Sequence, residues 1–135
     1  MKELFINIDG AARGNPGPSG IGVVIKDKEN KIIAEINEYI GQATNNAAEY
    51  QALLRALEKA DKMGANVLNI FSDSELMVKQ YLGIYRTKDK KLVEFLNRAR
   101  EIAKSFASIK IKHVPREQNK EADKLANIAI NSAGD

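Results

Sequence analysis

The spacing of the hydrophobic residues changes once along this chain, close to Asn45, and that change constrains the fold more than any other feature. Before it, apolar residues alternate with other residues in three runs, at 4–9, 21–25 and 32–36. Alternation of this kind predicts β-strands. A turn-rich stretch at 10–18 and a polar turn at 27–30 separate the runs. The first part of the chain is therefore predicted to be a three-stranded antiparallel meander.

After Asn45 the apolar residues recur every three or four positions, which predicts helices. The first is long and amphipathic and should end near Gly64, a residue typical of helix C-caps. A short apolar strand follows at 67–71, and helices are predicted at 75–82, 92–106 and 119–131, with a last strand at 109–111. A strand that lies between helices is typical of a parallel sheet covered on both faces. We therefore expect an α/β fold.

The composition limits the chemistry that is available. A chain of 135 residues, 44% of them hydrophobic, is long enough for a core and short for two domains, so we expect one domain over 1–135. With no cysteine, any metal should be held by oxygen or by the single histidine, His113, and oxygen ligands favour magnesium or manganese. No apolar run could span a bilayer and no signal peptide is visible, so we expect a cytoplasmic protein with no membrane partner. The net charge of +3 agrees with a polyanionic partner without establishing one.

Four carboxylates, Asp9, Glu49, Asp73 and Asp123, stand at the ends of predicted elements, and each has a purely structural explanation as well. Asp9 could end a strand before a turn, and Glu49 could close a capping box with Asn46. Asp73 or the serine after it could cap the next helix. Asp123 falls in the first turn of its helix, where the helix dipole favours negative charge. Taken singly, the four acids do not establish a site.

Taken together, the four acids favour a metal site. Their elements could meet at one edge of the sheet, where four carboxylates would repel one another unless cations neutralised them. A pair of divalent cations about 3.5–4 Å apart would also activate a water molecule and stabilise the leaving oxygen of a phosphodiester. The pattern predicts a metal-dependent phosphoryl-transfer enzyme. A non-catalytic nucleic-acid-binding module is the alternative, although such a module would not require all four acids.

Four segments of the chain resemble the signature segments of type 1 ribonuclease H, in the family's order. They are DGA and GNPGP within 9–18, TNNAAE at 44–49, SDS at 72–74 and NKEAD at 119–123. The resemblance implies a five-stranded mixed sheet, three antiparallel strands and then two parallel ones, flanked by helices. It implies an endoribonuclease that cuts the RNA strand of RNA–DNA hybrids by in-line attack of water, leaving 5′-phosphate and 3′-hydroxyl ends. Cleavage of double-stranded RNA is the alternative specificity.

The same resemblance implies roles for individual residues. The four carboxylates would bind two Mg²⁺ ions, with Mn²⁺ as a substitute, and Asp9 would bridge both ions. Asn15, Asn45 and Asn46 would lie near the minor groove, where a 2′-hydroxyl distinguishes RNA from DNA. Thr44 would help to hold a phosphate of the DNA strand. Helix capping is the alternative role for Asn45 and Asn46, and the protein is expected to be a monomer.

The chain departs from the family's pattern in the loop before the last acid. Many family members carry a mobile catalytic histidine there, whereas residues 114–119 contain none. His113 aligns with the end of the preceding strand, where a packed or surface position is predicted. Arg116 is expected to act in place of the missing histidine by binding the scissile or product phosphate, although a guanidinium cannot shuttle protons.

Further departures concern the grip on the DNA strand. Gln42 stands where relatives can carry a phosphate-binding arginine, and Glu75 stands where an amide is common. Both changes should weaken DNA-strand binding or make it depend on other cations. The basic insertion of some relatives is reduced here to four cations, for which a duplex contact and a solvated loop are the two interpretations: Arg86, Lys88, Lys90 and Lys91.

Overall fold

Three antiparallel strands form the first part of the sheet, as predicted. In the computed structural model, which describes residues 2–133, β1 spans Glu3–Ala12, β2 spans Gly17–Lys26 and β3 spans Ile32–Ala43. β2 pairs antiparallel with both β1 and β3. The strands are longer than predicted, because residues 10–12 and 17–18 belong to the ladder. The interpretation of 10–18 as one turn-rich stretch was wrong, since only 13–16 connect β1 to β2.

The second part of the chain adds two parallel strands and the helices. In chain order its elements are α1 (Asn45–Lys62), β4 (Val67–Ser72), α2 (Glu75–Tyr81), α3 (Lys90–Ala103), β5 (Ser108–His113), a single 3₁₀ turn (Arg116–Gln118) and α4 (Lys120–Ala133). β4 pairs parallel with β1 and with β5, which gives the strand order β3-β2-β1-β4-β5. Gly64 follows the end of α1 with φ +73°, the left-handed conformation expected of such a glycine. The predicted five-stranded mixed α/β sheet is confirmed.

Helices cover both faces of the sheet at very close range. A side chain at Gly10 of β1 would overlap the backbone of Ala48 in α1. Gly22 of β2 pairs with Asp9, the residue before Gly10, and therefore faces the opposite side of the sheet. A side chain at Gly22 would overlap the carbonyl oxygen of Ala122 in α4. Because Gly10 and Gly22 have no side chain, the N-terminal turns of α1 and α4 can approach β1 and β2 closely.

The main core lies between the sheet and α1. Leu4, Ile6 and Ile8 alternate along β1 and are buried against α1 residues that include Leu53. Full burial of such a side chain contributes about 1.5–3 kcal/mol each. Tyr50 of α1 also stacks on a phenylalanine of α3, with ring centroids 6.5 Å apart. Across residues 2–133, no helix combines the length and the apolar character needed to cross a membrane.

Candidate active site

Three of the four predicted acids converge where β4 ends. One carboxylate oxygen from each of Asp9, Glu49 and Asp73 lies within 4.8 Å of the other two. Asp9 projects from β1, Glu49 from the N-terminal part of α1, and Asp73 from the short connection between β4 and α2. Asp9 and Glu49 are buried, whereas Asp73 is partly buried. The first strand, the long helix and the end of the parallel strand therefore meet where the sequence predicted.

Asp123 lines the same cleft without belonging to that group of three. The cleft has a volume of about 480 Å³, and Asp123 enters it from the first turn of α4. Its carboxyl also helps to raise the pKa of Asp9. Its Oδ1 also accepts a 3.3 Å hydrogen bond from the side-chain amide of Asn127. All four acids thus border one cleft, with Asp123 at its edge.

Two hydrogen bonds fix the orientation of the Glu49 carboxylate. The Gly10 amide donates to Oε1 at 2.6 Å, and the Ser72 hydroxyl donates to Oε2 at 3.3 Å. The carboxylate therefore bonds to β1 and β4 rather than to Asn46 in its own helix. The capping-box explanation for Glu49 was wrong, because the spacing from Asn46 to Glu49 does not coincide with the start of α1.

The helices on either side of the cleft are capped by hydroxyl residues instead. Thr44 caps α1, and its Oγ1 accepts a hydrogen bond from the Ala47 amide at 3.1 Å. Ser74 caps α2, so the Asp73 carboxylate is not used as a cap. The explanation of Asp9 as a turn residue was also wrong, since β1 continues for three residues beyond it. Three acids thus lose their structural explanations.

Burial and mutual repulsion change the acidity of the two buried acids. Burial, together with the charges of Glu49 and Asp73, raises the pKa of Asp9 to about 10. Burial also raises the pKa of Glu49 to about 7, against the opposing effect of its hydrogen bonds from Gly10 and Ser72. Near neutral pH, the group therefore retains protons that a divalent cation could replace. Closely spaced carboxylate oxygens of this kind fit magnesium or manganese.

The residues expected to contact the substrate surround the N-terminus of α1. Asn15 Oδ1 accepts a 3.1 Å hydrogen bond from the Asn45 amide, which ties the β1–β2 loop to the helix. Asn45 also lines the acidic cleft. Asn46 is half-buried, and its Oδ1 is buried with no hydrogen-bond partner. Because Thr44 caps α1, the capping alternative for Asn45 and Asn46 was wrong.

Arg116 lies beside the acids, whereas His113 does not border the cleft. Arg116 begins the 3₁₀ turn, its Nε lies 4.0 Å from Asp73 Oδ2, and its side chain is 84% exposed. His113 is the last residue of β5 and is exposed. Of the packed and surface positions predicted for it, the structure shows the surface one. The buried Asn119 holds this segment against β1, because its Nδ2 donates to the Ile8 carbonyl at 2.8 Å.

A second, smaller cavity of about 210 Å³ lies beside the N-terminus of α1. Its lining includes Gln42, Thr44 and Lys91, together with Asp89, which caps α3. The four cations of the reduced basic stretch are all exposed, on the connection before α3 and at its start. Lys91 is therefore the member of that stretch that shares a cavity with Thr44.

Comparison with known proteins agrees with this geometry. The family described as reverse transcriptase-like matches residues 7–129. The ribonuclease HI of Halobacterium salinarum is 46% identical over 125 residues, which are 93% of this chain and 63% of that protein. The crystal structure of RNase H1 from the same organism aligns with a TM-score of 0.94 at 43% identity, covering 96% of this chain and 98% of the other. The chain belongs to the type 1 ribonuclease H family.

Two more ribonuclease H structures share the fold throughout. The N-terminal RNase H domain of Rv2228c from Mycobacterium tuberculosis is 38% identical with a TM-score of 0.95, covering 99% of this chain and 97% of the other. LC11-RNase H1, isolated from compost, in complex with an RNA/DNA hybrid, is 42% identical with a TM-score of 0.93, covering 98% and 99%. The chain spans 63% of the Halobacterium protein and 36% of the full Mycobacterium protein.

Sequence reasoning missed two residues at or beside this ribonuclease H cleft, Asn127 and Arg13. Asn127 lines the cleft, and Arg13 hydrogen-bonds to it from the β1–β2 loop. Asn127 follows Asp123 by four positions, so the one-turn spacing of a helix could have indicated it. No local pattern indicates Arg13, which lies 114 positions away from its partner.

Proposed function

We propose that this chain is a metal-dependent endoribonuclease that hydrolyses the RNA strand of RNA–DNA hybrids and leaves 5′-phosphate and 3′-hydroxyl ends. The convergence of Asp9, Glu49 and Asp73 within 4.8 Å carries the proposal. Burying acids so close together costs stability unless cations bind between them. A module that only bound nucleic acid would gain nothing from that cost. LC11-RNase H1, bound to an RNA/DNA hybrid, supports the class of substrate.

The donor set suits two Mg²⁺ ions, with Mn²⁺ as a substitute. When bound, two such ions lower the pKa of the attacking water and stabilise the leaving 3′-oxygen. Asp9 interacts with the other three acids and would be the acid that contacts both ions. Glu49 needs little reorganisation to act as a ligand because Gly10 and Ser72 already hold its carboxylate.

The residues around the N-terminus of α1 would recognise the hybrid. The unpartnered Oδ1 of Asn46 can accept a hydrogen bond from a 2′-hydroxyl, which DNA lacks. Asn15 and Asn45 are already joined by a hydrogen bond and would bind the minor groove as a unit. The Thr44 hydroxyl accepts from Ala47, so its own proton remains free to donate to a DNA-strand phosphate.

Two cations would complete the contacts with phosphates. Lys91 shares the small cavity with Thr44 and would supply the positive charge that Gln42 does not. Arg116, next to Asp73, would bind the scissile or product phosphate. A guanidinium stays protonated, so Arg116 would stabilise charge and would not transfer a proton.

The chemistry requires no covalent enzyme intermediate. The oxygen of a water molecule attacks phosphorus in line, the bond from phosphorus to the 3′-oxygen breaks, and phosphorus inverts. The water oxygen remains on the 5′-phosphate, and the 3′-oxygen leaves as a hydroxyl. The chain's contribution is to place the phosphodiester over the acids and to neutralise its charge.

A panel of three duplexes of one sequence tests the proposal: an RNA–DNA hybrid, an RNA duplex and a DNA duplex. With magnesium, we expect cuts in the RNA strand of the hybrid and none in the DNA duplex. Cuts in the RNA duplex would support the broader specificity. Asp73→Asn should remove cleavage, whereas Asp61→Asn, an exposed acid at the other end of α1, should not. Binding of the hybrid without cleavage under either metal would contradict the proposal.

The assembly and the location of the protein are inferred from its sequence. We infer a single domain over 1–135, because the length and composition indicate one core. We further propose that the protein acts as a monomer in the cytoplasm. Light scattering coupled to gel filtration measures the mass directly. A mass about twice the 14.9 kDa of one chain would contradict the monomer.

A further inference from the structure

A line of hydrogen bonds connects the β1–β2 loop to the fourth acid of the cleft. The Arg13 guanidinium donates through Nη2 to Asn127 Oδ1 at 3.3 Å. Asn127 Nδ2 donates in turn to Asp123, at 3.3 Å to Oδ1 and at 3.0 Å to the carbonyl oxygen. Asn127 and Asp123 both line the cleft, one helical turn apart on α4. The line therefore ends on the acid that stands apart from the group of three.

We propose that Asn127 is a positioning residue that holds the Asp123 carboxylate in the orientation in which it binds a cation, and that Arg13 sets the orientation of Asn127. This inference rests on the proposed function, because it assumes that Asp123 is a metal ligand. Glu49 is fixed by hydrogen bonds from Gly10 and Ser72. Asp123 lies at the edge of the cleft, and the side-chain amide of Asn127 is the donor to its carboxylate, as Gly10 and Ser72 are for Glu49.

Arg13 matters because an amide side chain has two ends of opposite character. A guanidinium only donates hydrogen bonds, so Arg13 holds the oxygen of the Asn127 amide on its own side. The amino group then points toward Asp123, where it can donate to the carboxylate. The flipped amide would place its oxygen against the carboxylate, which is repulsive. Arg13 thus acts on Asp123 only through Asn127.

Backbone contacts fix the position of Arg13 within the β1–β2 loop. The Arg13 amide donates to the Pro18 carbonyl at 2.9 Å, and a side chain at Gly17 would overlap the Arg13 carbonyl. The same short loop carries Asn15, which binds the Asn45 amide. One loop therefore supports both the residues proposed to recognise the hybrid and the orientation of the fourth acid.

Magnesium calorimetry without nucleic acid tests the role of Asn127. Loss of a partner that orients a metal ligand weakens metal binding by about tenfold or more, so we expect a decrease of about tenfold for Asn127→Ala. In the cleavage assay the same variant should need about tenfold more magnesium for half-maximal rate. Its KM for the hybrid at saturating magnesium should be unchanged. Asn131→Ala, the same substitution one turn further along α4 at an exposed position, should bind magnesium normally.

A double-variant comparison tests the role of Arg13. Arg13→Ala should weaken magnesium binding in the otherwise unaltered protein and have no further effect in Asn127→Ala. If Arg13→Ala instead raises the KM for the hybrid equally in both backgrounds, Arg13 contacts the substrate and its proposed role is overturned. Unchanged magnesium affinity in Asn127→Ala overturns the role of Asn127. Weakened magnesium binding in that variant, in a protein that does not cut hybrids, would support the positioning role and contradict the proposed function.

Discussion

The Gly10 amide donates a 2.6 Å hydrogen bond to Glu49 Oε1, and this bond joins β1 to α1 at the acid cluster. The two elements can approach so closely because Gly10 has no side chain to meet the backbone of Ala48. The same glycine thus allows the helix to pack and supplies the donor that orients Glu49, which we propose as a metal ligand. Because Gly10 directly follows Asp9, the close helix packing and the hydrogen bond to Glu49 both occur at the cleft.

Substitution of Gly10 should therefore affect stability and metal binding together. Gly10→Ala would push α1 away from β1, and overpacking of this kind costs about 1–3 kcal/mol. It should also weaken magnesium binding, because Glu49 would be displaced from its donor. Urea unfolding and calorimetry measure the two effects. Gly64→Ala is the matched control, because Gly64 has φ +73° and open space around it: it should lose about 1 kcal/mol and keep its metal affinity. Gly10→Ala with normal stability and metal binding would contradict this account.

The metal-free protein should become less stable as the pH rises. The raised pKa values of Glu49, about 7, and Asp9, about 10, mean that the folded protein keeps protons which the unfolded chain has already released. Above the ordinary carboxyl pKa of about 4, the unfolded chain binds fewer protons, so the free energy of unfolding falls as pH increases toward 10. The loss approaches about 1.4 kcal/mol per pH unit for each such proton.

Magnesium should remove most of this pH dependence, because bound cations take the place of the protons. Urea unfolding at pH 5.5, 7 and 8.5, with chelator and with magnesium, measures both curves. A stability that rises with pH in chelator over this range would show that the acids are not destabilised by ionising.

Asp9→Asn should make the metal-free protein more stable at alkaline pH. Asparagine has the size of the protonated acid and can also donate a hydrogen bond, but it cannot ionise beside Glu49 and Asp73. We expect a gain of at least about 1 kcal/mol at pH 8.5 in chelator, or at least about 3 °C in Tm. Asp61→Asn, which changes an exposed acid, should leave Tm nearly unchanged. A lower Tm for Asp9→Asn would indicate that this carboxylate stabilises the fold.

Arg116→Ala should slow cleavage without affecting the fold, because the side chain is 84% exposed and its Nε lies 4.0 Å from Asp73 Oδ2. Hydrogen bonds to charged groups contribute about 1.5–3 kcal/mol, so the loss should be about tenfold or more in kcat. Arg116→Lys should recover part of the rate. Arg98→Ala removes another exposed arginine, on α3, and serves as the control. An unchanged rate at both saturating and subsaturating hybrid would remove the proposed role of Arg116.

The period of the hydrophobic residues predicted most of the fold, because burial on one face of a strand or helix is written into the sequence every two or every 3.6 positions. The ends of β1 and β2 were missed for a physical reason. Residues 10–12 pair with 19–21 of β2, so their amides and carbonyls bond in the ladder although glycine and proline nearby favour turns. Tertiary pairing outweighed the local turn preference.

The acids of the cleft could be predicted because the elements that carry them were expected to meet at one edge of the sheet. Their surroundings could not be predicted. Spacing suggested that Glu49 bonds within its own helix, whereas its partners are Gly10, 39 positions earlier, and Ser72, 23 positions later. The bond from Arg13 to Asn127 joins opposite ends of the chain. Such contacts depend on how α1 and α4 pack on the sheet. No local sequence pattern encodes that packing.

Cleavage of the RNA strand, end-labelled within an RNA–DNA hybrid, tests the central claim most directly. The protein should make internal cuts in magnesium or manganese and none in chelator, and Asp9→Asn should make none under any of these conditions while remaining folded. The cut fragments should carry 3′-hydroxyl ends that a polymerase can extend. A folded Asp9→Asn protein with near-normal, metal-dependent cleavage would contradict the assignment of the acid cluster as the catalytic centre.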